Sequence, residues 1–290
     1  MKQLSLIKSA IKHTIRDYKY NLKHLQLHLS LSPEIEYSFL RMYCHMLDKG
    51  MNNANFESGH SQSVFKETQK LYEKLLPIYG NDREYEWIRE ILSRFEEAQK
   101  IGKPSLNNTE PYVYSSTDIE NHINFIRRRT SCRNFLQKEI PNDIINKIVD
   151  IAIDAPNGCC RQVVRYYISQ NKSIVKEAQS MIEGMTNFTN VQCLVCVAAE
   201  FSYYDIVDKN LRYIDSSLSA ENFLLGASLF GVYGTICNFL HASDTEVSRC
   251  KKLFGVKDSE DIIMYIAIGY PTVIPEKPAR RDLDVFYKIV

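Results

Sequence analysis

The sequence predicts an all-α N-terminal region followed by a domain in which helices and strands alternate. Three observations carry this reading. In the first hundred residues, apolar side chains recur every three or four positions, the period of a helix with one covered face. Residues 101–118, IGKPSLNNTEPYVYSSTD, lose that period and collect proline and small polar residues, as a linker does. Beyond them, short apolar runs alternate with helical stripes. The boundary falls within that linker, giving residues 1–112 as a helical domain and residues 113–290 as a second domain.

The first helix is marked by Ile7, Ile11, Ile15, Tyr18, Leu22 and Leu25. Ser32 followed by Pro33 reads as an N-cap with proline in the first turn, and Gly50 as the stop of that second helix. A third helix covers residues 61–79. A fourth follows Asn81, with Glu84 three residues on as a capping-box partner and Tyr85, Ile88, Ile91, Leu92 and Phe95 as its stripe. In the second domain Pro141 opens a helix bearing Ile144, Ile145, Ile148, Val149, Ala152 and Ile153. The turn APNGCCRQ, residues 155–162, leads into a strand at 163–169. Residues 192–199 read as a buried strand. Residues 213–230 form a long helix, nearly apolar all round after Asn222, which needs cover from the core or from another subunit. A helix at 244–254 and a strand at 261–269 complete the pattern. The tail, 271–290, holds three prolines and no core periodicity of its own.

Composition narrows the function. A net charge of +1 gives no overall attraction to nucleic acid or to an anionic membrane. The first twenty residues are interrupted by Lys2, Lys8, Lys12 and Arg16 and lack the apolar core of a signal peptide. The apolar run 193–199 is too short to span a bilayer. A soluble, cytoplasmic protein is therefore expected. Of eight cysteines, only Cys193 and Cys196 form a CxxC pair, and they lie in the buried strand. No second ligand pair follows at zinc-finger spacing, so no metal site is expected and the thiols read as structural. Cys159 and Cys160 are adjacent in a loop. No Rossmann glycine fingerprint is present.

Residues 127–135, RRRTSCRNF, crowd four arginines with a threonine and a serine. Forked guanidinium donors and hydroxyls near a helix end suit a phosphate monoester. Such a cluster also reads as a solvated basic surface, and that reading remains open for Arg127, Arg128 and Arg281.

Four segments, in order, suggest more: RRTSCRNF at 128–135, APNGCCRQ at 155–162, AENFLLGASLFGVYGTICNF at 220–239 and IAIGYPTVIPEKPARRDLD at 266–284. Together they resemble the nitroreductase family of FMN-dependent oxidoreductases, over about residues 118–290. The resemblance implies an α+β fold with a mostly antiparallel sheet wrapped by helices. It also implies a homodimer with FMN at the interface. Arg129, Thr130 and Ser131 would hold the phosphate and polar tail, and Arg133 would lie near the polar edge of the ring. Pro156, Asn157, Gly158 and Gln162 match a turn that reaches the flavin of the other subunit. Cys160 and Val163–Val164 depart from the family pattern there. Thr235, Asn238 and Phe239 match the stretch that offers a backbone N–H to flavin N5, with Asn238 the preferred position. Lys277, Arg280 and Arg281 are the candidates for a basic pair that returns to the phosphate, with Arg280 aligning best, and Asn187 falls near a further ring contact. HMLDKG, residues 45–50, resembles extended nitroreductase-like proteins associated with bacterial polysaccharide biosynthesis.

The implied activity is reduction of a small-molecule acceptor by alternating half-reactions, with NAD(P)H as the hydride donor. The alternative is a flavin-binding protein without turnover, whose helical domain docks a partner.

Overall fold

The computed structural model describes residues 2–105 and 110–290, so linker positions 106–109 lie outside the described residues. Four helices come first: α1 (Lys2–Ser30), α2 (Pro33–Met51), α3 (Gln62–Tyr79) and α4 (Arg83–Ile101). The second domain follows with α5 (Ser116–Arg128), α6 (Asn142–Ile153), β1 (Val164–Ser169), α7 (Lys172–Gln179), β2 (Cys193–Glu200), α8 (Leu211–Leu229), β3 (Tyr233–Asn238), α9 (Asp244–Phe254) and β4 (Glu260–Gly269). The strands form one sheet in the order β1-β2-β4-β3, and every neighbouring pair is antiparallel.

Strand alternation explains how one sheet serves two cores. In β2, Cys193, Val195, Val197 and Ala199 join the cluster under α6 and α8. Leu194, Cys196 and Ala198 join the cluster under α7 and α9. Successive side chains point to opposite faces, so a strand covered on both sides must be apolar throughout. All eight residues of β2 are buried accordingly. β4 divides the same way, with Ile266 and Ile268 on one face and Tyr265 and Ala267 on the other.

A third apolar cluster belongs to α2, α3 and α4, including Leu40, Leu47, Tyr85, Ile88 and Phe95. The stripe expected on α4 is therefore buried. The stripe of α1 is not: Ile11, Ile15, Tyr18, Leu22 and Leu25 all face solvent. The opposite face of α1 docks on the second domain. His24 Nε2 donates to the Tyr204 carbonyl at 2.5 Å, and His28 Nε2 lies 2.6 Å from the Ser202 carbonyl.

Local details correct several expectations. Residues 116–118 are not linker, because Ser115 and Asp118 form a reciprocal capping box that starts α5. The α4 N-cap is Asp82, and no side-chain cap bond forms there, so the Asn81–Glu84 box is absent. Ser32 does occupy the N-cap of α2, again without a side-chain bond. The long apolar helix is α8, and the chain leaves one edge of it open, with Ile214, Leu218 and Leu229 exposed. Residues 233–238, which are not among the expected strands, form the edge strand β3.

Candidate functional site

The arginine–serine motif runs in an extended conformation from the end of α5 alongside β3. Ser131 forms a parallel bridge with Gly234, and the Cys132 N–H donates to the Gly234 carbonyl at 3.2 Å. The Thr235 hydroxyl donates to the Cys132 carbonyl at 2.7 Å. Glycine is needed at 234 because a Cβ would lie 2.6 Å from both the Ala267 carbonyl oxygen and Ile268. On its other side the motif is tied to the 187–189 loop, where the Thr189 N–H donates to the Arg133 carbonyl at 3.1 Å. The Arg133 guanidinium lies over the Phe188 ring, 5.9 Å from its centroid, and Asn187 precedes that ring in the chain.

This seam gathers Arg129, Thr130, Ser131, Arg133, Asn187 and Thr235. Thr130 and Thr235 are buried, and the Thr235 hydroxyl is spent on the seam itself. Arg133 and Asn187 are exposed, and Ser131 is half-buried. The Ser131 hydroxyl has no protein partner among the described residues. Arg129 Nε pairs with Glu221 Oε1 of α8 at 3.3 Å, a partner that spacing gave no means of finding. The helix end beside the motif is a C-terminus. Its partial negative charge suits arginine but opposes an anion, so phosphate would have to be met by the guanidinium groups. Burial raises the pKa of the Cys132 thiol, against the opposing pull of Arg133 and Arg129, so it stays a neutral packing group there.

The tail returns to this place. Lys277 Nζ donates to the Arg127 carbonyl at the end of α5 at 3.1 Å. Arg280 does not reach the motif; its guanidinium donates within the tail, to the Pro278 carbonyl at 3.4 Å. At the far end of β3, Asn238 and Phe239 border a crevice of about 470 Å³ closed by Met181, Gly184 and Thr186. Asn238 is exposed, and its side-chain oxygen accepts from the Leu240 N–H at 2.8 Å. Phe239 is buried, so only its backbone is on offer.

The APNGCCRQ turn is not joined to this seam by any hydrogen bond among the described residues. Its partners are α8 and the helical domain. The Gly158 N–H donates to Asp215 at 2.9 Å, and the Gln162 N–H donates to the Asn157 side-chain oxygen at 3.0 Å. Arg41 Nε of α2 donates to the Cys160 carbonyl at 2.8 Å, and His45 Nδ1 lies 3.5 Å from Cys160 Sγ. Cys159, Cys160 and Gln162 have φ of 53°, 55° and 51°, a left-handed conformation that side chains normally avoid. Three such residues in one turn amount to about 1–3 kcal/mol of strain each, sustained by the surrounding bonds. Burial also raises the Cys160 thiol pKa, partly offset by Arg41. Pro156 and Gln162 are exposed, while Asn157 and Gly158 are half-buried.

No group of metal-binding side chains occurs among the described residues. None of the described helices is long and apolar enough to cross a membrane.

Comparison with known proteins places these features. Residues 126–200 match the sequence model of the nitroreductase family. A putative NADH dehydrogenase/NAD(P)H nitroreductase of Methanothermobacter thermautotrophicus is 24% identical over 166 residues, covering 54% of this chain and 80% of the relative. A Bacteroides thetaiotaomicron structure described by the same words superposes with a TM-score of 0.52 at 16% identity, over 58% of this chain and 96% of its own. The NADPH:FMN oxidoreductase of Vibrio harveyi, complexed with NAD+, superposes with a TM-score of 0.53 at 18% identity, over 58% of this chain and 76% of its own. The antiparallel sheet and the helices that wrap it thus form a nitroreductase-like α+β fold, with the family's sequence match beginning at the arginine–serine motif.

Proposed function

We propose that this chain is an FMN-dependent oxidoreductase that uses NAD(P)H to reduce a small-molecule acceptor. The observation that carries the proposal is the seam itself. The sequence match and the fold meet at the segment carrying Arg129, Ser131 and Arg133, whose Ser131 bridges Gly234 of β3, with Lys277 returning to the helix end before it. The residues present fit a flavin phosphate. The Arg129 guanidinium, the Lys277 ammonium at the end of α5 and the Ser131 hydroxyl, which has no protein partner among the described residues, supply donors for it, two of them charged.

FMN, when bound, supplies a two-electron carrier that takes hydride from a nicotinamide and passes reducing equivalents on. The chain supplies position and charge. Arg129, Ser131 and Lys277 anchor the phosphate end, and Thr130 holds the strand that presents them. Arg133 sets a fixed positive charge beside the polar edge of the ring, which favours negative charge developing there. The backbone at Asn238 orients the reactive edge. Pro156, Asn157, Gly158 and Gln162 serve the site of a second subunit, which explains why they stand apart from the seam of their own chain. We assign Arg280 a secondary role, since Lys277 already occupies the return to α5.

A homodimer follows from the same reading. α5 buries none of its residues, and the tail exposes Leu283, Phe286, Tyr287 and Ile289. Such surfaces need cover, and a second copy supplies it. The helical domain, residues 1–112, roofs the 155–162 turn through Arg41 and His45 and narrows the choice of acceptor. A place for that acceptor in polysaccharide biosynthesis rests on the HMLDKG resemblance alone.

The test is the Arg129→Ala, Ser131→Ala double variant. It is expected to purify folded but depleted of flavin. A full complement of FMN in that variant would overturn the phosphate assignment.

A further inference from the structure

α1 and α9 stand on either side of a cleft of about 1100 Å³. α1 lines it with one face, which repeats every three or four positions over 8–23, and α9 lines it with the face 244–252. Two side chains of α1 tie that helix to the loops flanking α9. Arg16 Nη1 donates to the Leu240 carbonyl at 3.1 Å, and Lys23 Nζ donates to the Asp258 carbonyl at 2.5 Å. The cleft is therefore built into the way α1 meets the second domain.

Its walls are of two kinds. Ile11, Ile15, Phe201, Val247 and Val256 give an apolar lining, in which Ile11 and Ile15 are 54% and 51% exposed. Around them, among the described residues, stand seven basic side chains against three carboxylates, in a chain whose net charge is only +1. The carboxylates do not neutralise that excess. Asp261 pairs with Arg212 at 3.2 Å, and Asp244 and Asp258 form no ion pair among the described residues. Lys251 is held by the carbonyls of Lys257, Asp258 and Glu260, and burial, followed by the charge of Lys23, keeps its pKa below the ordinary lysine value. Lys8, Lys12, Lys19 and Lys252 make no hydrogen bond or ion pair to the described residues. Exposed apolar wall and unneutralised like charge are both unfavourable, and one kind of occupant relieves both.

We propose that the cleft between α1 and α9 binds a small organic anion with an apolar body. Its acidic group meets the unpaired lysines of the two helices, and its apolar part covers Ile11, Ile15 and Val247. An inorganic anion would answer the charge but leave the apolar wall in water. A neutral apolar ligand would cover the wall but leave the lysines unanswered. The volume stands at the upper end of small-molecule sites, about 300–1000 Å³, and such sites favour junctions between domains. No residue of the arginine–serine motif lines the cleft, so the proposal does not depend on flavin binding.

The experiment is isothermal titration of the full chain with decyl phosphate, kept below its micelle concentration. One-to-one binding is expected, at least about tenfold tighter than that of decanol or of inorganic phosphate. The Lys12→Ala, Lys19→Ala variant is expected to bind decyl phosphate at least about tenfold more weakly than wild type. The control Lys66→Ala, Lys100→Ala removes the same charge from exposed positions of α3 and α4 and should keep the wild-type Kd. Absence of binding, equal Kd in the two double variants, or inorganic phosphate binding as tightly as decyl phosphate would each overturn the proposal. So would co-sedimentation with phosphatidylglycerol vesicles in a chain that does not bind decyl phosphate, because a lipid surface would then be the occupant. FMN content is recorded on the same samples. Loss of FMN from the Lys12→Ala, Lys19→Ala variant would overturn the cleft as a site of its own. A flavin-free wild type that still binds decyl phosphate through Lys12 and Lys19 defeats the oxidoreductase reading alone.

Discussion

The Arg129–Glu221 pair makes opposite predictions for its two members. The Arg129 side chain is 19% exposed and that of Glu221 is 50% exposed, with 3.3 Å between their charged groups. An ion pair this open to water is worth about 0–1 kcal/mol. A hydrogen bond from a guanidinium to a phosphate is worth about 1.5–3 kcal/mol. Arg129→Ala should therefore weaken FMN binding by about 1.5–3 kcal/mol, roughly 10- to 150-fold in Kd. Glu221→Gln removes the competitor and leaves the guanidinium free. It should tighten FMN by up to about 1 kcal/mol, roughly fivefold. Fluorescence titration of apoprotein with FMN measures both, and raising salt should shrink the Glu221→Gln gain. If Glu221→Gln weakens FMN as much as Arg129→Ala does, the carboxylate orients the arginine for the ligand instead of competing for it, and the reasoning fails.

Other consequences are tested on the same protein. Gly234→Ala places a Cβ 2.6 Å from the Ala267 carbonyl oxygen, and relieving that clash should cost about 1–3 kcal/mol and shift the arginine–serine motif; a lower Tm together with weaker FMN binding is expected, and an unchanged Tm contradicts it. Burial lowers the pKa of His24 below its ordinary 6.5, so its neutral form holds α1 in place. That contribution is present above about pH 6.5 and is lost as pH falls below it. Thermal melts from about pH 7.5 down to about pH 5.5 should show a loss that His24→Gln flattens. Deleting residues 1–112 removes Arg41 and His45 from the 155–162 turn and should broaden the range of acceptors reduced; a truncated dimer with unchanged rates across several acceptors would show that the helical domain is no roof.

The parts of the fold most legible in the sequence are those with a strong period and a single environment. The stripes of α4 and α6 and the apolar runs of β2 and β4 are of this kind. Where one pattern fits two environments, sequence stops short. The α1 stripe has helical spacing, but only the structure shows that it faces water. β3 is absent from the expected strands because Gly234 weakens the strand signal, yet that glycine is what lets β3 pack closely against Ala267 and Ile268 of β4 while Ser131 bridges to it. α5 lies partly in a segment whose proline and small polar residues mimic a linker, although its Ser115 cap is a start signal. In the candidate site, the resemblance singled out Arg129, Ser131 and Arg133 within the arginine-rich run, and the structure puts them on one extended segment whose Ser131 bridges Gly234 of β3. Glu221 and Phe188 could not be found that way, because they come from α8 and a loop separated by dozens of residues from the motif. Arg280 aligns best by resemblance, yet it is Lys277 that contacts the end of α5, because the tail meets α5 at Arg127 while Arg280 bonds within the tail.

The seam along β3 is proposed to hold a flavin that nicotinamide can reduce. Visible absorbance of freshly purified protein, before and after NADPH under nitrogen, tests it most directly. A yellow protein whose flavin band bleaches on NADPH addition is expected. A protein that stays colourless after soaking in FMN would contradict it, and would mean that the fold persists here without the chemistry.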